Sequence, residues 1–169
     1  MAKIVLYMTV SLDGYVAGPD DSVDAPMGIG GFRLFNWLDR RNDPGPSGQV
    51  YAEAMATRAV IAGRRTYELA GRWQGDHHDG VPIFVLTHDV PDEAPPGSVR
   101  YVTDAAECAA QALLRAGELD EMELHVVPVL LGAGRRLFDH LPAEVVELEQ
   151  VRQLTTPDVT HLHYRVHRP

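Results

Sequence analysis

The sequence predicts an α/β fold with a mixed, mainly parallel sheet flanked by helices and antiparallel strands near the C-terminus. Apolar runs rich in Val and Ile recur in the first half of the chain, at residues 3–11, 59–62 and 81–86. Segments with helical spacing of apolar residues lie between the runs, as in α/β proteins. Two alternating segments follow later, residues 145–154 and 159–166, with the spacing of an antiparallel pair.

Composition and charge narrow the class of protein. A chain of 169 residues that is 45% hydrophobic and 23% charged fits one globular domain, residues 1–169. Its formal net charge of -9 opposes binding to the phosphate backbone of nucleic acid and to anionic membrane surfaces. We therefore expect no nucleic-acid or membrane partner, whereas the acidity itself selects no substrate.

Cysteine usage and the N-terminal residues indicate the compartment. Cys108 is the only cysteine, which excludes an intramolecular disulfide and a multi-cysteine metal site and fits a reducing environment. The first ten residues lack the pattern of a signal peptide, and no apolar run has membrane-spanning length. These features predict a cytoplasmic protein.

The elements can be assigned in order. The near-continuous apolar run 3–11 predicts a central strand covered on both faces. A first helix is predicted from five apolar side chains: Phe32, Leu34, Phe35, Trp37 and Leu38. A second helix carries Val50, Ala54 and Met55, with Ser47 as a possible N-cap.

The second half begins with the clearest helical signal. Asp104 and Glu107 form a capping-box pattern, and the helix that they start ends at Gly117. An apolar strand follows over residues 123–131, then a Gly-containing turn over residues 132–138. The alternating C-terminal pair completes the predicted sheet.

The stretch AVIAGRRTYE, residues 59–68, has the chemistry of an anion site. A buried strand ends at Gly63, and Arg64, Arg65 and Thr66 follow at a helix start, where unpaired N–H groups favour anions. Arginine can also pair with phosphate bidentately. An ordinary strand-to-helix turn with two solvated arginines explains the same residues, and the pattern alone leaves both interpretations open.

Family resemblance adds weight to the anion site. GRRTYE resembles the Gly-Arg-x-Thr-aromatic-Glu signature of the dihydrofolate reductase-like family, in the branch of the riboflavin biosynthesis reductase (RibD C-terminal) domain. The segment LDEMELHVVPVLLGAGRRLF, residues 119–138, is similar to the same family over a longer stretch, mainly in architectural positions. The resemblance implies NADPH as cofactor, with Gly63, Arg64, Arg65 and Thr66 at its adenosine 2′-phosphate end.

The same resemblance implies the substrate side of the cleft. TVSLDGYVAGPD, residues 9–20, is similar to the family's first strand and the loop that passes under the nicotinamide. Asp13 is then the catalytic residue that orients the substrate, and Val16 and Ala17 contact the nicotinamide. The alternative for Asp13 is a common Asp-Gly turn. Trp37 is a candidate to stack on a planar substrate, with an ordinary core role as its alternative.

VPIFVLTH, residues 81–88, resembles the family's next parallel strand, whose terminal loop meets the adenosine. Leu86, Thr87 and His88 are therefore candidate cofactor contacts, since open α/β sheets bind ligands beyond such strand ends. A strand that simply ends in a polar loop is the alternative for each of these side chains.

The remaining histidines predict no metal site. His161, His163 and His167 alternate along one strand, and the two outer ones lie roughly 20 Å apart at about 3.3 Å per residue. We interpret them as a solvated strand face. His77 and His78 are likewise expected at the surface of a loop.

The resemblance is interrupted once. Family members normally carry a helix, a short hydrophobic strand and a Gly-Gly turn before the segment that corresponds here to residues 109–121. That turn cradles the cofactor pyrophosphate, so its absence weakens the expected grip on NADPH, and a shortened sheet leaves edges that favour a homodimer. We predict an NADPH-dependent reductase of a small planar heterocycle or conjugated carbonyl or imine. The alternative is a reductase-fold protein that has lost dinucleotide binding and acts as a ligand-binding protein or cofactor-independent enzyme.

Overall fold

A computed structural model of the chain describes residues 3–93, 96–103, 117–139, 141 and 145–167. The helix predicted to start at Asp104 lies outside these residues. The described strands are β1 (Val5–Ser11), β2 (Tyr15–Ala17), β3 (Val60–Gly63), β4 (Ile83–Leu86), β5 (Val99–Val102), β6 (Glu121–Val127), β7 (Arg135–Arg136), β8 (Leu148–Thr155) and β9 (Thr160–Val166). The helical segments are the 3₁₀ segment (Gly31–Arg40), α1 (Pro46–Met55) and α2 (Arg64–Leu69). Gly71–Gly75 forms a turn in which Arg72, Trp73 and Gln74 have positive φ.

The strands form a mixed architecture. In the larger sheet, of order β1-β6-β9-β8, β1 and β6 are parallel, and β9 is antiparallel to both β6 and β8. A three-stranded sheet of order β3-β4-β5 is wholly parallel. A small antiparallel pair joins β2 to β7. The predicted α/β fold, with parallel strands first and an antiparallel pair near the C-terminus, is confirmed.

One difference concerns the continuity of the sheet. Among the described residues, β1 is hydrogen-bonded only to β6 and β3 only to β4, so the larger sheet and the parallel sheet are separate. The predicted cover on both faces of β1 is wrong for the first half of that strand, because Val5 and Tyr7 are exposed.

Period-two alternation divides the larger sheet into an apolar and a polar face. The apolar face packs Leu6 and Val10 of β1 and Met122 of β6 against Leu119 and Leu137. The polar face carries carboxylates, hydroxyl groups and imidazoles that are also buried: Thr9, Ser11, Glu121, Glu123, His125 and His161. Buried polar groups require partners, so these side chains bond to one another and to neighbouring elements.

The 3₁₀ segment covers one end of the larger sheet. Leu34 and Trp37 point inward and pack on Val127 and Val159. Phe32 of the same segment is exposed, so not all the apolar residues that predicted this helix share its buried face. A separate cluster, formed by Tyr67, Ile83, Val85 and Val99, joins α2 to the parallel sheet.

Two local predictions are corrected. Ser47 is not an N-cap, because α1 begins at Pro46 after Gly45, and the Ser47 side chain is buried instead. His77 and His78 are half-buried rather than on the surface; their Nδ1 atoms lie 2.7 Å apart and the ring of Trp73 packs on His77.

No helix within the described parts of the chain has both the length and the apolar character needed to cross a lipid bilayer.

Candidate functional site

Asp13 joins the loop after β1 to the turn before β7. The Ser11 hydroxyl donates to Asp13 Oδ1 over 2.6 Å. The backbone N–H of Leu131 donates to Oδ1 over 3.1 Å, and that of Gly132 donates to Oδ2 over 2.8 Å. Led by the Ser11 bond, these contacts lower the pKa of Asp13 to about 2. The carboxylate is therefore ionised at neutral pH and holds the turn in place.

Asp13 lies in the Asp-Gly turn of its alternative interpretation, where the Gly14 N–H donates to the Ser11 carbonyl oxygen over 2.9 Å. Its carboxylate also holds the turn at residues 131–132, and it keeps room for a further donor. A carboxylate has about four acceptor positions, and three are used by Ser11, Leu131 and Gly132. The side chain is partly exposed, so a donor on a ligand can still reach it. Its contact with a substrate stays a prediction.

The predicted nicotinamide residues lie on β2. Val16 is half-buried and Ala17 is buried, opposite Arg135 of β7. A Cβ at Gly134 would lie 2.1 Å from the carbonyl oxygen of Ala17, and Gly134 has φ of 130°. Only glycine permits this close approach, which explains the GAG turn as an architectural feature.

Arg136 of β7 stabilises the β2–β7 pair through contacts with Asp13 and Tyr15. Its Nη1 donates to the Asp13 carbonyl oxygen over 3.1 Å, and its Nη2 donates to the Tyr15 hydroxyl over 3.0 Å. The guanidinium carbon also lies 4.5 Å from the centre of the Tyr15 ring. The Asp13 loop, β2 and β7 therefore form one connected unit.

Two arginines from different elements converge on Asp21. Arg65 Nε and Nη2 lie 3.1 Å and 2.9 Å from Asp21 Oδ2, and Arg135 Nη2 lies 3.3 Å from Oδ1. Arg65 Nη2 also donates to the Asp21 carbonyl oxygen over 3.0 Å. We call Asp21, Arg65 and Arg135 the arginine–aspartate cluster. It connects the start of α2 to the β2–β7 pair.

The other residues of the GRRTYE segment are also placed. Gly63 has extended backbone just before α2, and Thr66 is exposed. Arg64 Nε donates to Glu68 Oε1 over 2.9 Å and its Nη1 donates to the Asp89 carbonyl oxygen over 3.1 Å. Arg64 and Arg65 therefore diverge, each with its own acidic partner, rather than forming one pair.

The end of β4 is less open than predicted. Thr87 is buried, its N–H donates to the Val102 carbonyl oxygen over 2.9 Å, and its hydroxyl donates to the Asp89 carbonyl oxygen over 2.9 Å. Leu86 is half-buried and His88 is exposed. His88 is the most accessible of the three candidate adenosine contacts, and all three assignments stay predictions.

Trp37 belongs to the core. It is only 2% exposed and its indole N–H donates to Thr9 Oγ1 over 3.2 Å. Its ring centre lies 4.8 Å from that of His125 and 5.0 Å from that of His161. The ring faces are enclosed, so direct stacking on a substrate is contradicted and the core alternative is correct.

The prediction of a solvated histidine face is wrong for His161. His161 and His125 are buried on the polar face of the larger sheet, with Nδ1 atoms 2.9 Å apart, and His161 Nε2 lies 3.2 Å from Ser47 Oγ. We call these three residues the histidine cluster. Burial, the larger cause, and the neighbouring His161 lower the pKa of His125 to about 3; burial, followed by Arg152, lowers that of His161 to about 4.

At this distance one of the two Nδ1 atoms must carry a proton and donate it to the other in a hydrogen bond, because two unprotonated nitrogens cannot bond to each other. Either tautomer leaves His125 Nε2 without a hydrogen-bond partner in the described part of the protein. That nitrogen is a buried polar group that a small ligand or water could satisfy.

A second row lies beside this cluster. His163 Nδ1 is 2.8 Å from Glu123 Oε2, and His163 Nε2 is 3.1 Å from Glu121 Oε2. Arg152 and Lys3 pair with Glu123 and Glu121, respectively. Burial is the largest influence on Glu123 and raises its pKa, against the effects of His163 and Arg152.

Sequence reasoning missed both rows because it considered one strand at a time. In the structure His125 faces His161, and Glu123 faces His163, across the β6–β9 pair. The alternation Glu-x-Glu-x-His in β6 against His-x-His in β9 was the available signal. Among the described residues, no group of three or more His, Cys, Asp or Glu side chains is arranged to hold a metal ion.

A shallow groove of about 450 Å³ lies between the start of the 3₁₀ segment and the turn that Asp13 holds. Apart from Arg33, the side chains that line it are apolar, and the lining residues are Ile29, Gly30, Arg33, Val129, Leu130 and Leu131. Leu131 lines the groove, and its backbone N–H also donates to Asp13, so the groove lies next to the residue that is predicted to orient the substrate.

Comparisons with known proteins agree with this architecture. A family model described as the RibD C-terminal domain matches residues 101–162. YwjB of Bacillus subtilis (strain 168), an uncharacterized protein, is 29% identical over 189 residues, covering 96% of this chain and 97% of that protein.

Solved structures show the same fold. A protein from Shewanella sp. PV-4 with a provisional assignment to riboflavin biosynthesis has a TM-score of 0.70 at 21% identity, over 99% of this chain and 100% of that chain. Dihydrofolate reductase from Enterococcus faecalis, solved with NADP(H) and RAB-propyl, has a TM-score of 0.62 at 14% identity, over 98% of this chain and 97% of that chain. The predicted resemblance is thereby confirmed: residues 101–162 are similar to the RibD C-terminal domain, and the chain has the dihydrofolate reductase fold.

Proposed function

We propose that the protein is an NADPH-dependent reductase of a small planar heterocycle or a conjugated carbonyl or imine. The observation that carries this proposal is the arginine–aspartate cluster. Arg65 belongs to the segment predicted to hold the adenosine phosphate, and Arg135 lies opposite Ala17, which is predicted to contact the nicotinamide. Because both arginines reach Asp21, residues predicted for the two ends of the cofactor lie next to each other, which supports the proposal.

The residues fit a phosphorylated dinucleotide. Arg64 pairs with one oxygen of Glu68, Arg65 directs two nitrogens to one oxygen of Asp21, and both side chains are about half-exposed. Guanidinium groups that bond carboxylates can also bond phosphate oxygens. NADPH, when bound, supplies the hydride for such a reduction. Arg64 and Arg65 would bind its phosphate end, Val16 and Ala17 would contact the nicotinamide, and Asp13 would orient the substrate.

Fluorescence titration with NADPH and NADH tests the cofactor assignment. We expect saturable binding with tighter affinity for NADPH, since the arginines can form charge-assisted bonds with a 2′-phosphate. Equal affinity for the two cofactors would contradict the placement of Arg64 and Arg65.

One observation favours a second function. The larger sheet and the parallel sheet are not joined among the described residues, and Arg64 and Arg65 already have acidic partners. A protein that has lost the dinucleotide could use the groove beside Asp13 for another ligand or a cofactor-free reaction. Absence of any binding to NADPH or NADH in the same titration would favour this alternative.

We further propose a cytoplasmic homodimer. Exposed Val5 and Tyr7 on β1, and exposed Ile61 on β3, are apolar side chains at strands that have one described neighbour each. The single cysteine agrees with a reducing compartment. Light scattering across a dilution series tests the dimer, and a monomer at every concentration would contradict it.

A further inference from the structure

The arginine–aspartate cluster has the form of an anion site that already contains an anion. Each guanidinium group directs at least one N–H to the Asp21 carboxylate, from two separate elements. A carboxylate and a phosphate present similar pairs of oxygens to an arginine fork. The Asp21 carboxylate therefore presents to both arginines the type of oxygen acceptor that a phosphate also has.

Exposure distinguishes this cluster from a closed ion pair. The side chains of Arg65 and Arg135 are 52% and 48% exposed, whereas that of Asp21 is 11% exposed. Solvent, and any solute anion, therefore reaches the arginines directly. Two guanidinium groups against one carboxylate also leave an excess positive charge, in a chain whose formal net charge is -9.

Asp21 is charged at neutral pH. Partial burial pushes its pKa upward, but the hydrogen bonds from Arg65 and Arg135 outweigh this effect and bring the pKa below its usual value. An incoming phosphate therefore competes with a full negative charge for the same donors.

We propose that Arg65 and Arg135 bind the pyrophosphate of a dinucleotide and that Asp21 caps the site when no anion is bound. This inference rests on the proposed function. Arg65 is predicted with Arg64 at the adenosine-phosphate end, and it is the member of that pair that turns toward Asp21 and Arg135. Arg135 lies opposite the predicted nicotinamide residue Ala17. The pyrophosphate links these two ends of a dinucleotide, so the position between them is where its charge must be neutralised. The Arg135 side chain would then bind the pyrophosphate in place of the backbone N–H donors of the Gly-Gly turn, which this sequence lacks.

The loop that carries Asp21 allows the exchange. Its base is fixed by two bonds, from the Gly18 N–H to the Met27 carbonyl oxygen and from the Ile29 N–H to the Pro19 carbonyl oxygen, both 2.9 Å. Its tip is a separate turn with reciprocal backbone bonds between Ser22 and Ala25. Asp21 lies between base and tip, so its side chain can leave the arginines without disrupting β2.

Calorimetric titration of the full chain with inorganic pyrophosphate and, separately, with NADPH tests the site. We expect Arg135→Ala to weaken pyrophosphate binding about tenfold and Asp21→Asn to strengthen it about tenfold, because the first removes a charge-assisted donor and the second removes the competing charge. Arg135→Lys should bind with intermediate affinity, since it keeps the charge and loses the fork. The NADPH affinities should change in the same directions.

Matched controls are Asp20→Asn, on the neighbouring residue, and Arg40→Ala, which removes an exposed arginine paired with Asp158. Both should stay within about twofold of the unmodified chain. Unchanged pyrophosphate affinity in both Asp21→Asn and Arg135→Ala would overturn the anion site. If pyrophosphate responds as expected and NADPH binds no variant, the anion site stands, and the dinucleotide assignment and the proposed reductase function both fall. If the NADPH affinity is the same in the unmodified chain and in Asp21→Asn, Arg135→Ala and Arg135→Lys, the reductase proposal stands and this inference is overturned.

Discussion

The histidine cluster and the arginine–aspartate cluster differ in what surrounds their charges. His125 and His161 are enclosed by Trp37 and the larger sheet, and burial holds both imidazoles neutral. Arg65 and Arg135 are half-exposed and keep their charge in solvent. An enclosed polar group affects mainly stability, whereas an exposed cation is free to exchange its partner. The first cluster should therefore respond to unfolding measurements and the second to ligand titration.

Trp37→Ala should have the largest effect on stability. Removing a fully enclosed indole from between two imidazoles leaves a cavity and an unpaired Thr9 hydroxyl, with a loss of about 3–5 kcal/mol in the free energy of unfolding. Phe32→Ala, in the same 3₁₀ segment but exposed, should lose under about 1 kcal/mol. Chemical denaturation measures both. Similar losses in the two variants would show that the indole is not enclosed as described.

The histidine cluster should make stability depend on pH. Burial holds the pKa of His125 at about 3 and that of His161 at about 4 in the folded chain, against 6.5 ordinarily. Between pH 6.5 and these lower pKa values, the unfolded chain therefore binds more protons than the folded chain. The free energy of unfolding should fall as pH falls through that window, by up to about 1.4 kcal/mol per pH unit for each histidine.

Denaturation at a series of pH values checks this slope. Glu123 has the opposite effect on stability at low pH, because its raised pKa makes the folded chain bind a proton at a higher pH than the unfolded chain does. Arg152 faces both Glu123 and His161. His161→Gln should flatten the slope, whereas the matched change His167→Gln, on an exposed residue, should leave it unchanged. A slope that survives in His161→Gln and in His125→Gln would assign the pH dependence to other groups.

Arg64→Ala tests the exposed side of the comparison. Loss of one charge-assisted donor should reduce the preference for NADPH over NADH about tenfold, with little change in stability. Arg40→Ala is the control for removal of an exposed arginine. A drop in melting temperature without any change in cofactor preference would move Arg64 to a structural role with Glu68.

Asp13→Asn should have the smallest effect, because Asn retains one acceptor oxygen for the turn at residues 131–132. We expect the fold and NADPH affinity to be retained, and the KM for the best available substrate to rise a few-fold because the charged acceptor is lost. Steady-state kinetics with NADPH measure the change. Unchanged kinetics with lowered thermal stability would assign Asp13 to the turn alone.

Local patterns predicted the elements better than they predicted exposure. The C-terminal strand pair and the strand leading to Gly63 were predicted from apolar runs, because side-chain periodicity is a property of the local chain. His161 was misassigned because its neighbour His125 comes from a different strand and its third contact, Ser47, from α1. Which face of a strand is covered depends on residues far away in sequence.

The sequence by itself therefore determined the fold class, the family resemblance and the segments that could bind a cofactor. Motif residues such as GRRTYE carry this information because their chemistry and spacing are local. Only the tertiary structure showed that Arg64 and Arg65 point apart, because Arg64 pairs with Glu68 and Arg65 pairs with Asp21. It also brought Arg135 close to Arg65, although the two residues are 70 positions apart in the sequence. Electrostatic partners are selected by distance in space, and a chain specifies that distance only after strands and loops have packed.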